Sequence, residues 1–372
     1  MKVSAVIVYT ISPLFITQVL GASTLVVGLL EGLLEGVTLF SKMFSGVLSD
    51  IIHKRKSIIA VGYILALISR PLLALSTSVG GFFIAKAFDR IANGLDATPR
   101  DALVGDLAPP SIKGACYGLR ESLSRAGAFS GSLLVMGLLW IAHDNYSLIF
   151  WLGSIPAILA FIVLLLFVKD PPTQIPKTKI DKKLKLQDIL SLPRSLWLVL
   201  ILSGIYNISN FSGVFLILRA EQTGADLHLI PLVMVVQNIA TAFTAYPAGR
   251  LSDKFGKRLM LCFGIFLVVC SNLILANGTS FFIILTGVLL WGAELGISQS
   301  MLSILLADVC PASLRGTGFG LFHLLNGISL IIANTLAGWL WSSSGPAYTF
   351  YASALIASLT IFILPFIHKR PS

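Results

Sequence analysis

Apolar residues occur in long runs that alternate with short polar connections along the whole chain. A helix needs about 20 residues to cross the hydrocarbon core of a bilayer, and most of these runs are that long. A membrane β-barrel would instead show alternating segments of about ten residues. The pattern therefore predicts an all-α integral membrane fold with twelve transmembrane helices, at residues 4–20, 24–49, 57–76, 80–106, 113–141, 147–168, 195–219, 227–250, 258–276, 280–306, 315–341 and 347–367.

One connection is much longer than the others. Residues 169–193 contain six lysines and several prolines. Such a segment cannot bury enough apolar surface to form a core. We therefore predict a linker at 169–193 between an N-terminal six-helix bundle at 1–168 and a C-terminal six-helix bundle at 194–372.

Charge supports a membrane protein and predicts its topology. Only 12% of the residues are charged and the mean hydropathy is +0.88, whereas soluble chains carry about 25% charged residues. The net charge of +10 comes from basic residues in alternate short loops, at 50–56, 107–113, 169–193, 251–258 and 309–315. This distribution indicates membrane topology rather than nucleic-acid binding, and it predicts that both termini and the linker are cytoplasmic.

A polar stretch between two apolar runs occurs twice. Gly46–Lys56 ends the second predicted span, and Gly249–Arg258 ends the eighth, with Asp50 and Asp253 203 positions apart. A second pair of elements begins at Asp106 and Asp308, 202 positions apart. Two elements in the same order at nearly one spacing predict two homologous halves. Parallel six-helix repeats place a substrate cavity between the halves near the bilayer midplane.

On these residues the chain resembles the major facilitator superfamily over essentially its whole length. The residues that match its signature loop are Gly46, Asp50, Lys54 and Arg55, and, in the second copy, Gly249, Asp253, Gly256, Lys257 and Arg258. The first copy departs from the loop at Ile51 and His53. The resemblance implies a secondary transporter that works by alternating access, with a substrate cavity between two six-helix halves.

Three further motifs refine this resemblance. Arg90 and Gly94 match the family's RxxxG element, and Gly118, Gly127 and Gly131 match the glycine motif of its antiporters, with Ser132 where that motif has Pro. The run from Asp89 to Leu103 is similar to a bacterial subgroup of proposed efflux permeases. The resemblance thus implies a multi-pass protein of the bacterial cytoplasmic (inner) membrane that exports a solute as an antiporter.

The resemblance also implies a cytoplasmic gate that holds the two halves together. Its expected residues are Gly46, Asp50, Lys54, Arg55, Asp106, Gly249, Asp253, Lys257, Arg258, Asp308 and Arg315. A carboxylate at such a helix end can accept hydrogen bonds from a neighbouring helix N-terminus. The alternative is that these residues are topology signals with solvated ends.

Charged residues inside the predicted spans are the candidates for proton and substrate coupling. Each costs about 2.5–3.5 kcal/mol at mid-membrane on insertion scales, so such residues face a cavity or one another. The candidates are Glu31, Glu35, Lys42, Arg70, Asp89, Arg90, Asp96, Arg100, Asp101, Glu121, Arg125, Glu294 and His323. The alternative for each is a structural ion pair, and Glu121 and Arg125 have the spacing of such a pair.

The sequence favours one proton site in particular. Glu31 and Glu35 lie one helical turn apart, and two carboxyls that close in a medium of low dielectric constant do not both ionise easily. We therefore predict that this pair, with Asp89 and Arg90, couples proton movement to transport. Glu294 is the expected substrate or cation contact of the second half.

The preferred hypothesis is a monomeric transporter that moves a small organic solute through the lipid bilayer, with proton-coupled efflux as the leading mode. Uptake by symport or uniport stays an alternative. Two hypotheses of another class are a membrane enzyme acting on lipid-borne substrates and a membrane sensor that does not transport. No metal-ligand spacing and no phosphate-binding loop is present in the sequence, so we expect no cofactor, no metal and no direct ATP drive.

Overall fold

The computed structural model describes residues 1–52, 54–107, 113–143, 145–168, 193–310 and 315–361. Over these residues it is almost entirely α-helical. The helices are α1 (Lys2–Leu14), α2 (Thr24–Ile52), α3 (Arg55–Ala74), α4 (Val79–Leu107), α5 (Lys113–Ile141), α6 (Tyr146–Leu152), α7 (Ser154–Phe167), α8 (Arg194–Ile208), α9 (Val214–Glu221), α10 (Leu232–Phe255), α11 (Lys257–Asn277), α12 (Phe281–Val309), α13 (Arg315–Ser344) and α14 (Pro346–Ile361). A π-helical turn, Phe15–Val19, extends α1, and a 3-10 turn, Leu227–Leu229, precedes α10.

These helices confirm the predicted succession of membrane spans. Within the described residues, nine segments are long and apolar enough to cross a bilayer. The α4 helix is long enough to cross a bilayer but is not among these nine because it carries many charged residues. The helices α8 and α14 are apolar but shorter. The sixth predicted span is divided between α6 and α7, and the seventh between α8 and α9. Each of the twelve predicted spans is therefore mainly helical where it is described, with interruptions at Gly153 and at residues 209–213.

The helices group into two compact units. The first contains Met1–Pro172 and Ser212–Asn238, and the second contains Thr173–Phe211 and Ile239–Ser372. The sequence predicted boundaries at 168 and 194 instead, so α9 and the start of α10 group here with the N-terminal half. The predicted linker falls almost entirely on residues 169–192, which lie outside the described part of the chain.

The first unit has an aromatic core near one end of its helices. Phe15, Phe82 and Phe150 are buried, with ring centroids 5.5 Å apart for Phe15–Phe82 and 5.4 Å apart for Phe15–Phe150. Tyr146 meets Phe15 edge-on at 6.4 Å. Such offset and edge-to-face pairs add to the free energy of apolar burial, and here they hold α4 and α6 against the end of α1.

A glycine sets a close helix contact in each unit. Gly94 on α4 lies against Ser41 and the backbone of Lys42 on α2, and an added Cβ would lie 2.9 Å from Lys42 N. Gly296 on α12 lies in the same way against α10, where an added Cβ would lie 2.8 Å from Thr241 O. Because 94 and 296 differ by 202, like Asp106 and Asp308, the repeat predicted from the loops extends to the packing of the helices.

Candidate functional site

The first unit contains a cavity of about 420 Å³, a volume within the range of about 300–1,000 Å³ typical of small-molecule sites. The wall is formed by α1, α4, α5 and the start of α10. The lining residues are Lys2, Ala5, Val6, Val8, Tyr9, Lys86, Asp89, Arg90, Asn93, Ser124, Arg125, Ala128, Met234, Gln237 and Asn238. The lining combines charged groups, neutral hydrogen-bonding groups and short apolar side chains, which suits a solute with both polar and apolar parts.

A buried charge network between α2 and α4 forms one side of this cavity. Lys86 Nζ donates to Glu31 Oε1, and Arg90 Nη2 donates to Glu31 Oε2 at 2.9 Å. Arg90 Nη1 also lies 3.4 Å from Glu35 Oε1. Glu31 is only 2% exposed, so its charge is compensated by the two cations rather than by water.

A second buried pair joins α3 to α4. Arg70 is fully buried and lies 2.5 Å from Asp89 Oδ1. Arg70 Nη1, which makes this contact, also lies 2.7 Å from Ser69 Oγ and 2.9 Å from Ala66 O, and Arg70 Nε donates to Ser4 Oγ at 3.1 Å. The Arg70 guanidinium thus contacts α1 and α3 as well as Asp89, which lies in the cavity wall.

Further along α4 a third set of charges joins α4 to α5. Arg100 Nη1 donates to the buried Asp96 one helical turn earlier. Asp101 Oδ1 lies 3.2 Å from Arg120 Nη1 and 3.8 Å from Arg100 Nε. None of these four residues lines the cavity, so this set contributes to helix packing.

The second unit contains a buried carboxyl of a different kind. Glu294 on α12 is fully buried, and Asn210 Nδ2 lies 3.4 Å and 3.5 Å from its two carboxylate oxygens. Within the described residues, no lysine, arginine or histidine forms an ion pair with Glu294. Trp291, one turn earlier, is buried against Phe211 with the ring centroids 5.2 Å apart.

The structure brings many, but not all, of the predicted coupling residues together. Asp89, Arg90 and Arg125 line the cavity. Behind this lining, Glu31 contacts Lys86 and Arg90, Glu35 contacts Arg90, and Arg70 contacts Asp89. Lys42 and His323 are exposed. Six predicted site residues have side chains outside the described part of the structure: Asp50, Asp106, Glu121, Asp253, Asp308 and Arg315.

The remaining predicted gate residues lie at helix ends. Lys54 is exposed immediately before α3, and Arg55 begins that helix. Lys257 and Arg258 begin α11. On α2, an added Cβ at Gly46 would lie 3.1 Å from Thr98 Cγ2, whereas at Gly249 it would meet no atom within 4 Å. The proposed gate stays a prediction because its carboxylates are among the undescribed side chains.

Sequence reasoning missed a hydrogen-bonded chain that joins α6 and α9 to the end of α1. Tyr146 OH donates to Gln18 Oε1 at 2.5 Å, and Gln18 Nε2 donates to Glu221 Oε1 at 2.5 Å. Nearer the middle of α1, Tyr9 OH lies 3.0 Å from Ser212 Oγ. The available signal was a single glutamine and a single tyrosine within a short apolar span, where unsatisfied polar groups are costly.

A helical protein with many membrane spans and a charge-lined cavity of this size belongs to the class of membrane transporters. The sequence profile of the Major Facilitator Superfamily matches residues 3–218 and again 198–372. The chain therefore belongs to the Major Facilitator Superfamily, as its signature loop predicted. It is a transporter and not an enzyme.

Relatives and solved structures agree with this assignment. The uncharacterized MFS-type transporter MJ1317 of Methanocaldococcus jannaschii is 31% identical, and the match covers 98% of this chain and 91% of that protein. The quinolone resistance protein NorA of Staphylococcus aureus is 26% identical over 39% of this chain and 37% of its own length. The nucleoside transporter NupG has a similar fold, with a TM-score of 0.72, 12% identity and coverage of 98% and 96% of the two chains. A bacterial homologue of the human lysosomal transporter Spinster, in an inward-facing and unoccupied conformation, matches with a TM-score of 0.77, 14% identity and coverage of 98% and 93% of the two chains.

Proposed function

We propose that this transporter exports a small organic solute across the bacterial cytoplasmic membrane in exchange for protons. It works as a monomer by alternating access, with both termini in the cytoplasm and the predicted gate residues closing the cytoplasmic side. Two features support export: the partial similarity to the quinolone resistance protein NorA, and the glycines Gly118, Gly127 and Gly131 that resemble the antiporter motif.

The observation that carries proton coupling is the environment of Glu294. Its carboxyl is fully buried, and its described polar neighbours are the neutral side chains of Asn210 and Ser298. An ionised carboxylate is very costly in such surroundings, so the group is stable there as a neutral acid. Ionisable residues inside membrane spans commonly mark proton and ion pathways. We assign to Glu294 the proton that is carried, and its release requires a state in which water or a cation reaches the carboxyl.

The charge network in the first unit has a role other than carrying the proton. Glu31 is held by both Lys86 and Arg90, so it keeps the network assembled. Glu35 is 27% exposed at its side chain and lies 3.4 Å from Arg90, and it is the member of the predicted pair that can exchange partners. The pair Asp89 and Arg90 faces the cavity and couples the occupancy of the cavity to this network.

The test uses proteoliposomes loaded with the pH-sensitive dye pyranine, with valinomycin and potassium to hold the membrane potential at zero. A panel of organic anions, cations and neutral solutes is added outside. We expect at least one solute to make the interior more alkaline, because protons leave as the solute enters. Glu294→Gln should remove the pH change for that solute.

The sign of the pH change separates the alternatives. A symporter would acidify the interior as the solute enters, and a uniporter would move the solute without any pH change. Either result for a transported solute, or an undiminished alkalinisation with Glu294→Gln, would contradict proton exchange at Glu294.

A further inference from the structure

We infer that the buried carboxyl of Glu294 is a binding site for a sodium ion, which takes the place of the proton when the carboxyl is ionised. The site lies within the second unit, where the polar neighbours of this carboxyl are Asn210 and Ser298. The inference rests on the proposed function only for the role of Glu294 in transport, because binding of the ion does not depend on proton exchange.

The side chains at this site offer one negative charge and several oxygen ligands. Glu294 supplies two carboxylate oxygens, Asn210 an amide oxygen and Ser298 a hydroxyl. Carboxylate and other neutral oxygens are the ligands that hard cations prefer. One carboxylate fully compensates a monovalent ion, whereas a divalent ion would leave a buried charge without compensation, which is costly. The site therefore suits a small monovalent cation.

The separation between Asn210 and the carboxyl matches the spacing of ligands around a sodium ion. Asn210 Nδ2 lies 3.4 Å and 3.5 Å from the two oxygens of Glu294, and half a turn of the amide places Oδ1 there instead. A hydrogen bond from the neutral acid would be shorter, about 2.5–3.0 Å. Ca²⁺, which has almost the radius of Na⁺, binds oxygens at about 2.3–2.6 Å, so two ligands at right angles lie about 3.3–3.7 Å apart.

Two further features of Asn210 favour a cation beside it. Within the described residues Asn210 Oδ1 has no hydrogen-bond partner, although Asn210 is only 8% exposed, and buried polar atoms are normally satisfied. Asn210 is also the second residue after the C-terminal end of α8, in the interruption of the seventh predicted span. The C-terminus of a helix favours positive charge, and broken helices of secondary transporters place such ends at Na⁺ sites.

The experiment measures ion binding to the purified full-length protein in detergent. NaCl, KCl and choline chloride are exchanged at constant ionic strength and at one alkaline pH, and thermal unfolding and binding of radioactive Na⁺ are the readouts. We expect NaCl to raise the unfolding temperature in a saturable manner, because an ion that binds only the folded protein stabilises it. The half-saturating concentration of KCl should be at least tenfold higher, because K⁺ is larger and forces the oxygens apart. Choline should have no saturable effect.

Four variants locate the ion. Glu294→Gln removes the negative charge and Asn210→Leu removes the amide oxygen, and each should weaken Na⁺ binding at least tenfold. Asn272→Leu is the matched control, because Asn272 is another buried carboxamide of the second unit and its Nδ2 donates to Val268 O on its own helix. It should leave the half-saturating concentration of NaCl unchanged. Ser298→Ala removes only a hydroxyl and should weaken binding at least threefold, so it replaces the first two variants if they do not fold.

Three outcomes would overturn the inference: no saturable stabilisation by NaCl, equal effects of NaCl and KCl, or Na⁺ binding that Glu294→Gln, or Ser298→Ala in its place, leaves intact. The result also separates this inference from the proposed function. Na⁺ binding without any proton movement in pyranine-loaded proteoliposomes would refute proton exchange alone. Proton exchange by a protein that does not bind Na⁺ would refute the sodium site alone.

Discussion

Replacing Glu31 by glutamine should be far more damaging than the same change at Glu35. Glu31 is 2% exposed and bonds to both Lys86 and Arg90, whose side chains are 5% and 11% exposed. The substitution Glu31→Gln leaves these two cations buried without their shared anion. Breaking a buried pair in this way costs about 3–5 kcal/mol. Glu35 has a side chain that is 27% exposed and a longer 3.4 Å contact, so Glu35→Gln should cost at most about 1 kcal/mol.

The assay is denaturation of the purified variants in mixed micelles, with the free energy of unfolding taken from the midpoint and slope. Two further variants complete a double-mutant cycle: Lys86→Met alone, and Glu31→Gln with Lys86→Met, which removes one anion and one cation together. The double variant should be more stable than the sum of the two single changes implies, by about 0.5–3 kcal/mol. Equal losses for Glu31→Gln and Glu35→Gln, or strict additivity in the double variant, would refute the buried network.

Three further predictions follow from the same structure. Gly94→Ala should lower the free energy of unfolding by about 1–3 kcal/mol, because the added Cβ would overlap Ser41. Gly137→Ala adds a Cβ with no atom within 4 Å, so it should stabilise α5 by about 0.5–1 kcal/mol. Denaturation of both variants in micelles checks this prediction. Gln18→Leu breaks the hydrogen-bonded chain from Tyr146 to Glu221. It should therefore increase the labelling of Ser212→Cys by a membrane-impermeant maleimide, in a protein from which the other cysteines have been removed. Unchanged labelling would contradict this prediction. Glu294→Gln should change the free energy of unfolding by less than about 1 kcal/mol, because glutamine resembles a neutral carboxyl that lacks an ion-pair partner; a loss as large as that of Glu31→Gln would show that Glu294 is ionised.

The membrane spans and the repeat could be predicted because their physical causes are local. A bilayer requires about 20 apolar residues per span, and the chain signals each interruption with charge, glycine or proline. Pairing within one helix was also accessible, since Asp96 and Arg100 are separated by one turn and do form an ion pair. Such features depend on the helix period alone.

Pairing between helices could not be predicted, because it depends on the register of one helix against another. The contact of Gly94 with Ser41 sets the height of α4 on α2, and only at that height do Lys86 and Arg90 meet Glu31. The same contact places the Ser41 side chain and the Lys42 backbone against α4. Lys42 is nevertheless exposed, although helical periodicity puts it on the face of Glu31 and Glu35. The partners of Tyr9 and Gln18 were not accessible for the same reason.

Glu294 shows a different limit of the sequence. The sequence predicts a substrate or cation contact at Glu294, but whether a basic residue lies beside this carboxyl depends on every helix around it. The sequence alone does not show whether a carboxyl and an arginine on different helices lie close enough to form an ion pair. The structure distinguishes an acid that is paired with cations, such as Glu31, from Glu294, whose described polar neighbours Asn210 and Ser298 are neutral.

The most direct test of the account follows a labelled solute that the pyranine assay identifies as transported, in proteoliposomes at zero membrane potential. The account predicts that entry of the labelled solute makes the interior alkaline in the unmodified protein. It predicts that Glu294→Gln loses this net movement but still exchanges labelled for unlabelled solute. Entry without a pH change in the unmodified protein, or net movement and alkalinisation that persist in Glu294→Gln, would contradict it.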